Sequence, residues 1–268
     1  MKQDHNELNP DLQTQESAHT ADTLKGRVAL VTGASGLLGQ AICIKLASMG
    51  TTVVAVYGQN TQAAEALQST IQDANGVCEI VSHDLTHANT PKEIVTDVLK
   101  THKRLDIVVA CAGITVRKSA LMTSSDETDQ LFNLNFRSAV DISRIAMRVM
   151  MRTRWGRVIT VGSRAGGFGM PGQAVYAGTK AALEGWTRSV ASEVGAYGIT
   201  VNVLAPGAIK SPDDAVYSAD EEAEIISKIG LKRLADPQDI AAAVGFLASP
   251  DASYVSGTTL VVDGAARF

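Results

Sequence analysis

The chain has 268 residues, 45% of them apolar, and a formal net charge of −4. That balance allows one large buried core and excludes a nucleic-acid surface or a polybasic membrane anchor. No stretch reaches the roughly 18–20 apolar residues of a membrane-spanning helix, and a cytoplasmic protein is expected. Residues 1–24 are rich in Gln, Asn, Asp, Glu and Thr and lack the apolar run of a secretory signal. They read as a disordered polar tail, leaving residues 25–268 as a single folded domain.

From Arg27 onward, short β-branched runs alternate with helical patterns. Val28–Val31 predicts a first strand and Leu37–Met49 a helix. Thr52–Tyr57 and Cys78–Ser82 predict strands, with helices at Ala63–Asp73 and Lys92–His102. Asp106–Ala110 is the fourth strand, followed by a long helix from Asp126 to Arg152. Arg157–Val161 and Thr200–Leu204 flank a helix from Gln173 to Ala196. Pro237–Ala248 has Asp236 as N-cap and Pro237 at its first position, and Thr259–Val262 closes the series. Near-continuous apolar strands separated by helices predict an α/β fold: a doubly wound, seven-stranded parallel sheet with right-handed crossovers. The loop and charged helix between Pro206 and Gly230 fall at a carboxyl end of the sheet, where substrate lids sit.

The turn after the first strand reads Thr32-Gly-Ala-Ser-Gly-Leu-Leu-Gly39. Gly33, Gly36 and Gly39 permit a tight turn and close backbone approach to a pyrophosphate, whose charge the following helix N-terminus favours. The spacing G-x-G-x-x-G is absent. Asp84, just after the third strand, can accept an amino hydrogen of adenine, and Ala112-Gly113 offers a floor without side chains. Together these point to a dinucleotide.

A hydroxyl, Ser163, ends the fifth strand, and a Gly-rich loop from Gly166 to Gly172 leads into the next helix. Tyr176 and Lys180 lie four apart on that helix and so share one face. A phenol exchanges its proton poorly at neutral pH, and a neighbouring cation favours the phenolate. The set suits proton transfer to or from an alcohol or ketone oxygen.

With these motifs, and with Asn135, Ile199-Thr-Val-Asn202, Pro206-Gly207, Val255-Ser-Gly257 and Val262-Asp-Gly264, the chain resembles a short-chain dehydrogenase/reductase. Within that superfamily it is similar to bacterial 3-oxoacyl-[acyl-carrier-protein] reductases. The resemblance covers about residues 25 to 268 and implies a Rossmann-type domain. It implies Ser163 as the carbonyl-positioning group, Tyr176 as general acid, and Lys180 as the group that binds the nicotinamide ribose and tunes the tyrosine. Asn135 matches an asparagine that holds a water of the proton relay. The implied cofactor contacts are Gly33, Ser35, Gly36, Leu37, Leu38 and Gly39 in the first turn, and Tyr57, Gly58 and Gln59 after the second strand. Further contacts are Asp84, Leu85, Ala112, Gly113, Tyr176, Lys180, Pro206, Gly207, Ile209 and Ser211. No metal is implied.

Three departures stand out. Leu37 occupies a usual glycine position and Gly36 a usual polar or basic one; Cys111 replaces the asparagine of Asn-Ala-Gly. Tyr197 stands where carrier-protein reductases often place a docking arginine, while Arg154 matches another such arginine. No carboxylate follows the second strand to repel a 2′-phosphate, so NADP(H) is favoured over NAD(H), with Gln59, Asn60 and Ser35 as hydrogen-bonding groups. The expected substrate is a ketoacyl group, carried by an acyl carrier protein in fatty-acid or polyketide assembly. The alternatives are a dehydrogenase or reductase of a free secondary alcohol or polyketide ketone, and a non-catalytic nucleotide-sensing regulator. The resemblance also implies a homotetramer, consistent with the broad apolar faces of helices 126–152 and 173–196. Cys43, Cys78 and Cys111 read as reduced core thiols, and His83 and His87 as solvated loop residues.

Overall fold

The computed structural model describes residues 23–211 and 217–267. The strands are β1 (Val28–Thr32), β2 (Thr52–Tyr57), β3 (Val77–Ser82), β4 (Ile107–Ala110), β5 (Gly156–Val161), β6 (Ile199–Pro206) and β7 (Thr259–Val262). They form one parallel sheet in the order β3-β2-β1-β4-β5-β6-β7. The winding direction reverses between β1 and β4, which opens a crevice at their carboxyl ends.

The alternation of side chains along each strand divides the core in two. Ala29, Val31, Val53 and Ala55 face one side, where α1 (Leu37–Ser48), α2 (Thr61–Asp73) and α9 (Pro237–Ala248) bring Ile42, Leu46, Leu67, Ile71, Val244 and Leu247. Val28, Leu30, Val54 and Val56 face the other, against α3 (Thr90–His102), α5 (Ser138–Thr153) and α7 (Ala174–Val194). Among the described residues, no helix is long and apolar enough to cross a membrane.

Two features differ from the reading of the sequence, and part of a third lies outside the described residues. The polar tail expected over residues 1–24 lies outside the described residues as far as residue 22, but Leu24 belongs to the domain. Its side chain is fully buried in the core beneath α1, and its N–H donates to the Met49 carbonyl at 2.9 Å. Of the expected lid, residues 212–216 lie outside the described residues, and α8 (Ala219–Lys228) starts with a capping box between Ser218 and Glu221.

The long helix expected over 126–152 is two helices. α4 (Ser125–Phe132) begins with a capping box between Ser124 and Glu127, and a π turn over Asn133–Arg137 separates it from α5. Such a wide turn inserts one residue into the helical ladder and occurs often at functional sites.

At the amino end of the sheet, Asp106 is buried just before β4. It accepts from Arg27 at 3.0 Å, from Arg104 at 2.7 and 2.8 Å, and from the Val28 N–H at 2.9 Å. A buried carboxylate needs this number of partners, because desolvating an unpaired charge costs several kcal/mol (about 3 or more).

Candidate active site

The carboxyl ends of six strands, β3 to β6 in sheet order, border a cleft of about 960 Å³. That is large enough for an extended dinucleotide together with a small substrate group.

The first turn forms the middle of its wall. Gly33 has φ of +68°, and a Cβ there would stand 2.8 Å from the Ala112 Cα, so the tips of β1 and β4 can meet only through glycine. A Cβ on Gly39 would overlap the Gly33 carbonyl oxygen, so α1 can seat this close to the turn only without one. The N-cap of α1, Gly36, offers no side-chain acceptor, and the first turn holds no acidic residue. The exposed N–H groups and helix dipole therefore remain available to an anion.

Cys111 is accommodated because Thr32 ties the two strand ends. The Thr32 hydroxyl accepts from the N–H groups of both Cys111 and Ala112, each at 3.2 Å. Burial pushes the Cys111 thiol up to about 11, which leaves it a protonated, apolar wall near neutral pH.

One end of the cleft assembles the reactive groups. Ser163 leaves β5 in an extended conformation and caps the short helix α6 (Arg164–Phe168), its Oγ accepting from the Ala165 N–H at 3.2 Å. With that lone pair engaged, its O–H remains free to donate to an oxygen in the cleft. Lys180, only 5% exposed, donates from Nζ to the Val161 carbonyl at 2.8 Å and lies 5.7 Å from the centroid of the Tyr176 ring. Burial lowers its pKa to about 8, partly opposed by the Cys111 thiol. Gly166 allows this packing: a Cβ there would meet the Ala181 N at 2.9 Å, forcing α6 away from α7.

Asn135 stands behind this end rather than on the cleft surface. It is 1% exposed, and its Oδ1 accepts from the Ile114 N–H at 2.8 Å. Its Nδ2 donates to the Ile114 carbonyl at 2.9 Å and to the Thr179 hydroxyl at 3.3 Å. Thr179 in turn donates to the Tyr176 carbonyl at 2.7 Å. The π turn thus aims Asn135 so that it joins the loop after β4 to the helix that carries Tyr176 and Lys180.

The expected residues Gly33, Ser35, Gly36, Leu37, Leu38, Gly39, Tyr57, Gly58, Gln59, Asp84, Leu85, Ala112, Gly113, Ser163, Tyr176, Lys180, Pro206, Gly207 and Ile209 all border the same cleft. Asn135 and Ser211 do not border it. Asp84 already accepts from the Thr86 N–H at 2.9 Å and hydroxyl at 2.7 Å, and these two bonds hold its carboxyl below the usual range. Ile114, Thr115, Gln130, Leu134 and His83 also border the cleft, and the sequence reading passes over their place there. Ile114 and Thr115 continue the run of Ala112-Gly113, while Gln130 comes from α4, Leu134 from the π turn and His83 from the end of β3, with no spacing signal in the sequence.

Arg154 is placed elsewhere. It ends α5 in the left-handed conformation two residues before β5, and its guanidinium donates to the Ala196 carbonyl at 2.8 Å and stacks 5.9 Å from the Tyr197 ring. The full length of β5, roughly 20 Å of extended chain, separates it from Ser163. The docking charge expected of Arg154 therefore does not reach this chain's own cleft.

Comparison with known proteins gives the same family throughout. A family model described as "Enoyl-(Acyl carrier protein) reductase" matches residues 33–265. The 3-oxoacyl-[acyl-carrier-protein] reductase FabG of Salmonella typhimurium is 38% identical over 245 residues, covering 90% of this chain and 98% of that protein. FabG of Escherichia coli is 39% identical over 241 residues, covering 90% and 97%. Among solved structures, a putative gluconate dehydrogenase from Agrobacterium tumefaciens superposes with a TM-score of 0.87 at 26% identity, covering 91% of this chain and 98% of that one. The chain belongs to the short-chain dehydrogenase/reductase superfamily and is an NAD(P)-dependent ketoreductase resembling the 3-oxoacyl-[acyl-carrier-protein] reductases.

Proposed function

We propose that the chain reduces the ketone of a 3-oxoacyl thioester, carried by an acyl carrier protein, to a secondary alcohol at the expense of NADPH. The observation that carries this reading is the convergence of Ser163, Tyr176 and buried Lys180 at one end of a cleft sized for a dinucleotide. The first-turn backbone would hold the pyrophosphate, and Lys180 a ribose hydroxyl. When bound, the reduced nicotinamide supplies the hydride.

The protein supplies the rest. Ser163 donates its O–H to the ketone oxygen and fixes its position. As negative charge develops on that oxygen, Tyr176 gives up its phenolic proton to it, and solvent later restores the proton. The Lys180 ammonium uses one hydrogen on Val161 and keeps two, 5.7 Å from the centroid of the Tyr176 ring. General acid–base groups of this kind contribute about 10²- to 10⁴-fold in rate. Asn135, with both amide hydrogens committed, acts through Ile114 and Thr179 as a positioning residue.

The relatives of 38–39% identity, matched over nearly their whole length, support the carrier-linked ketoacyl substrate. A cation at the rim suits an acidic carrier. Arg117, two residues beyond cleft-bordering Thr115, is exposed there with its guanidinium 4.9 Å from the Tyr217 ring. Assembly as a homotetramer in the cytoplasm is part of the reading, and exposed Leu121, Met122 and Tyr254 are apolar groups that subunit contacts would cover. Oxidation of a free secondary alcohol is the second reading, favoured by the likeness to the putative gluconate dehydrogenase.

The test is a panel followed at the reduced-nicotinamide absorbance band: a carrier-linked acetoacetyl thioester, its small carrier-free analogue, a crotonyl thioester, a free ketone, and gluconate with oxidised cofactor. The carrier-linked ketoacyl substrate is expected to give the highest kcat/KM. Fastest turnover of gluconate would establish the second reading instead, and fastest turnover of crotonyl thioester would make the chain an enoyl reductase.

A further inference from the structure

Ser163 rests on a weak scaffold. The helix that it caps, α6, has five residues, and Gly166 and Gly167 are two of them. A helix so short and so rich in glycine does not hold itself, so the position of Ser163 depends on what ties α6 from outside. One tie is the close packing of Gly166 on α7. The second is Arg164, the residue after Ser163. Its Nε stands 2.6 Å from the Asp263 Oδ2, and its guanidinium lies 4.3 Å from the centroid of the Phe168 ring, one turn further along α6. The Nε–H is not aligned with that oxygen, so the contact is one of charge. The Asp263 side chain is only 10% exposed, and a carboxylate so far out of water requires a cation of this kind.

Asp263 is itself fixed. It follows β7, whose last residue, Val262, faces Pro206 and accepts from the Gly207 N–H at 2.9 Å. A Cβ on Gly207 would stand 2.8 Å from the Asp263 Cβ, so the two backbones can approach this closely only through glycine. The Asp263 Oδ1 accepts from the Ala265 N–H at 3.0 Å. Beyond it, the Leu231 N–H donates to the Gly264 carbonyl at 3.0 Å and the Arg267 N–H to the Lys228 carbonyl at 2.9 Å, which secures the segment to the end of α8. The ion pair therefore joins two borders of the cleft, Ser163 on one and Gly207 on the other.

Resting on the ketoreductase reading, we propose that the Arg164–Asp263 ion pair is a positioning strut, which holds the Ser163 hydroxyl in register with Gly207 and with the cofactor proposed to lie against it. Neither Arg164 nor Asp263 borders the cleft. The pair moves no proton and touches no reacting atom; it acts through Ser163. A ketone oxygen held by Ser163 must also meet the Tyr176 proton while its carbon meets the hydride, and a misplacement of about 1 Å costs up to about 10²-fold in rate.

The experiment measures kcat and KM for a small carrier-free acetoacetyl thioester, with calorimetric affinity for NADP⁺ beside them. The proteins are wild type, Arg164→Met, Asp263→Asn and the two changes combined, each also in a Ser163→Ala background. Either single change should lower kcat about tenfold, with KM and NADP⁺ affinity nearly unchanged. The combined variant should lose no more than either alone, because all three lack the same tie. In the Ser163→Ala background the same changes should lower the residual kcat no further, since no hydroxyl remains to be positioned. Equal losses in both backgrounds would mean a general loosening and would overturn the strut. Losses that multiply in the combined variant would also overturn it, by giving Arg164 and Asp263 separate roles. Asp263→Asn is nearly isosteric and keeps an acceptor for the Ala265 N–H, so it carries the test if Arg164→Met does not fold. Each of these failures leaves the ketoreductase reading intact, whereas a wild type that reduces no ketoacyl thioester would overturn both.

Discussion

Lys180 donates from its buried ammonium to the carbonyl oxygen of Val161 at 2.8 Å, bridging α7 to the end of β5 one helical turn beyond Tyr176. Burial is what lowers its pKa from 10.5 to about 8. In the folded chain the ammonium therefore loses its proton first, while the unfolded chain keeps it to higher pH. Between these values the unfolded state binds more protons, so stability rises with pH. The buried charge costs roughly 3 kcal/mol below pH 8, relieved as pH approaches 10.5. Urea unfolding should show that rise in wild type and not in Lys180→Met. Activity runs the other way, because the proposed role needs the ammonium: kcat/KM should fall as pH rises through about 8. Lys180→Arg should move that limb upward; an unmoved limb would assign it to another group.

Asn135 holds the loop after β4 by two bonds to the Ile114 backbone. Asn135→Ala leaves the part-buried N–H and C=O of Ile114 without their side-chain partner and is expected to destabilise the fold by about 1 kcal/mol. Because Thr179 joins the same side chain to the Tyr176 carbonyl, kcat should fall about tenfold as the reactive helix loosens. Faster amide exchange at Ile114 is the readout that a simple loss of substrate contact would not move. Unchanged exchange there would contradict the positioning role.

Asp106 offers the opposite case, with large stability and no chemistry. Asp106→Ala leaves the part-exposed Arg27 and Arg104 without their carboxylate and the Val28 N–H without its acceptor, so a loss of about 2 kcal/mol is expected in urea unfolding. The cleft lies at the other end of the strands, so kcat of the folded variant should match wild type. A fall in kcat without a loss of stability would show that the two ends are coupled.

Much of the fold was legible because parallel strands buried on both faces leave near-continuous apolar runs, and because Gly33, Asp236 and Pro237 mark turns and caps directly. The Ser163, Tyr176 and Lys180 set was legible for a related reason: a strand end and one helical turn are local structures. The π turn was not. It aims Asn135 at Ile114, 21 residues away, a long-range pairing that leaves no trace in the periodicity of 126–152. Leu24 escaped notice because a single apolar residue after a polar leader has no pattern. His83 and Gln130 reach the cleft only through sheet order, which brings the β3 tip and α4 to the ends of one crevice. Arg154 shows the converse: a position matched to a docking residue precedes β5 and so lies at its amino end, away from Ser163.

The proton transfer assigned to Tyr176 is tested most directly by Tyr176→Phe, which removes one oxygen from the cleft and leaves the ring. The decisive measurement is kcat for a 3-oxoacyl thioester beside the calorimetric affinity for NADP⁺, in wild type and variant. The expected result is a fall in kcat of about 10²- to 10⁴-fold with cofactor affinity nearly intact, since only the phenolic oxygen is lost and the first turn and Lys180 are untouched. Turnover retained within about tenfold, or an equal loss of cofactor binding, would contradict Tyr176 as the proton donor.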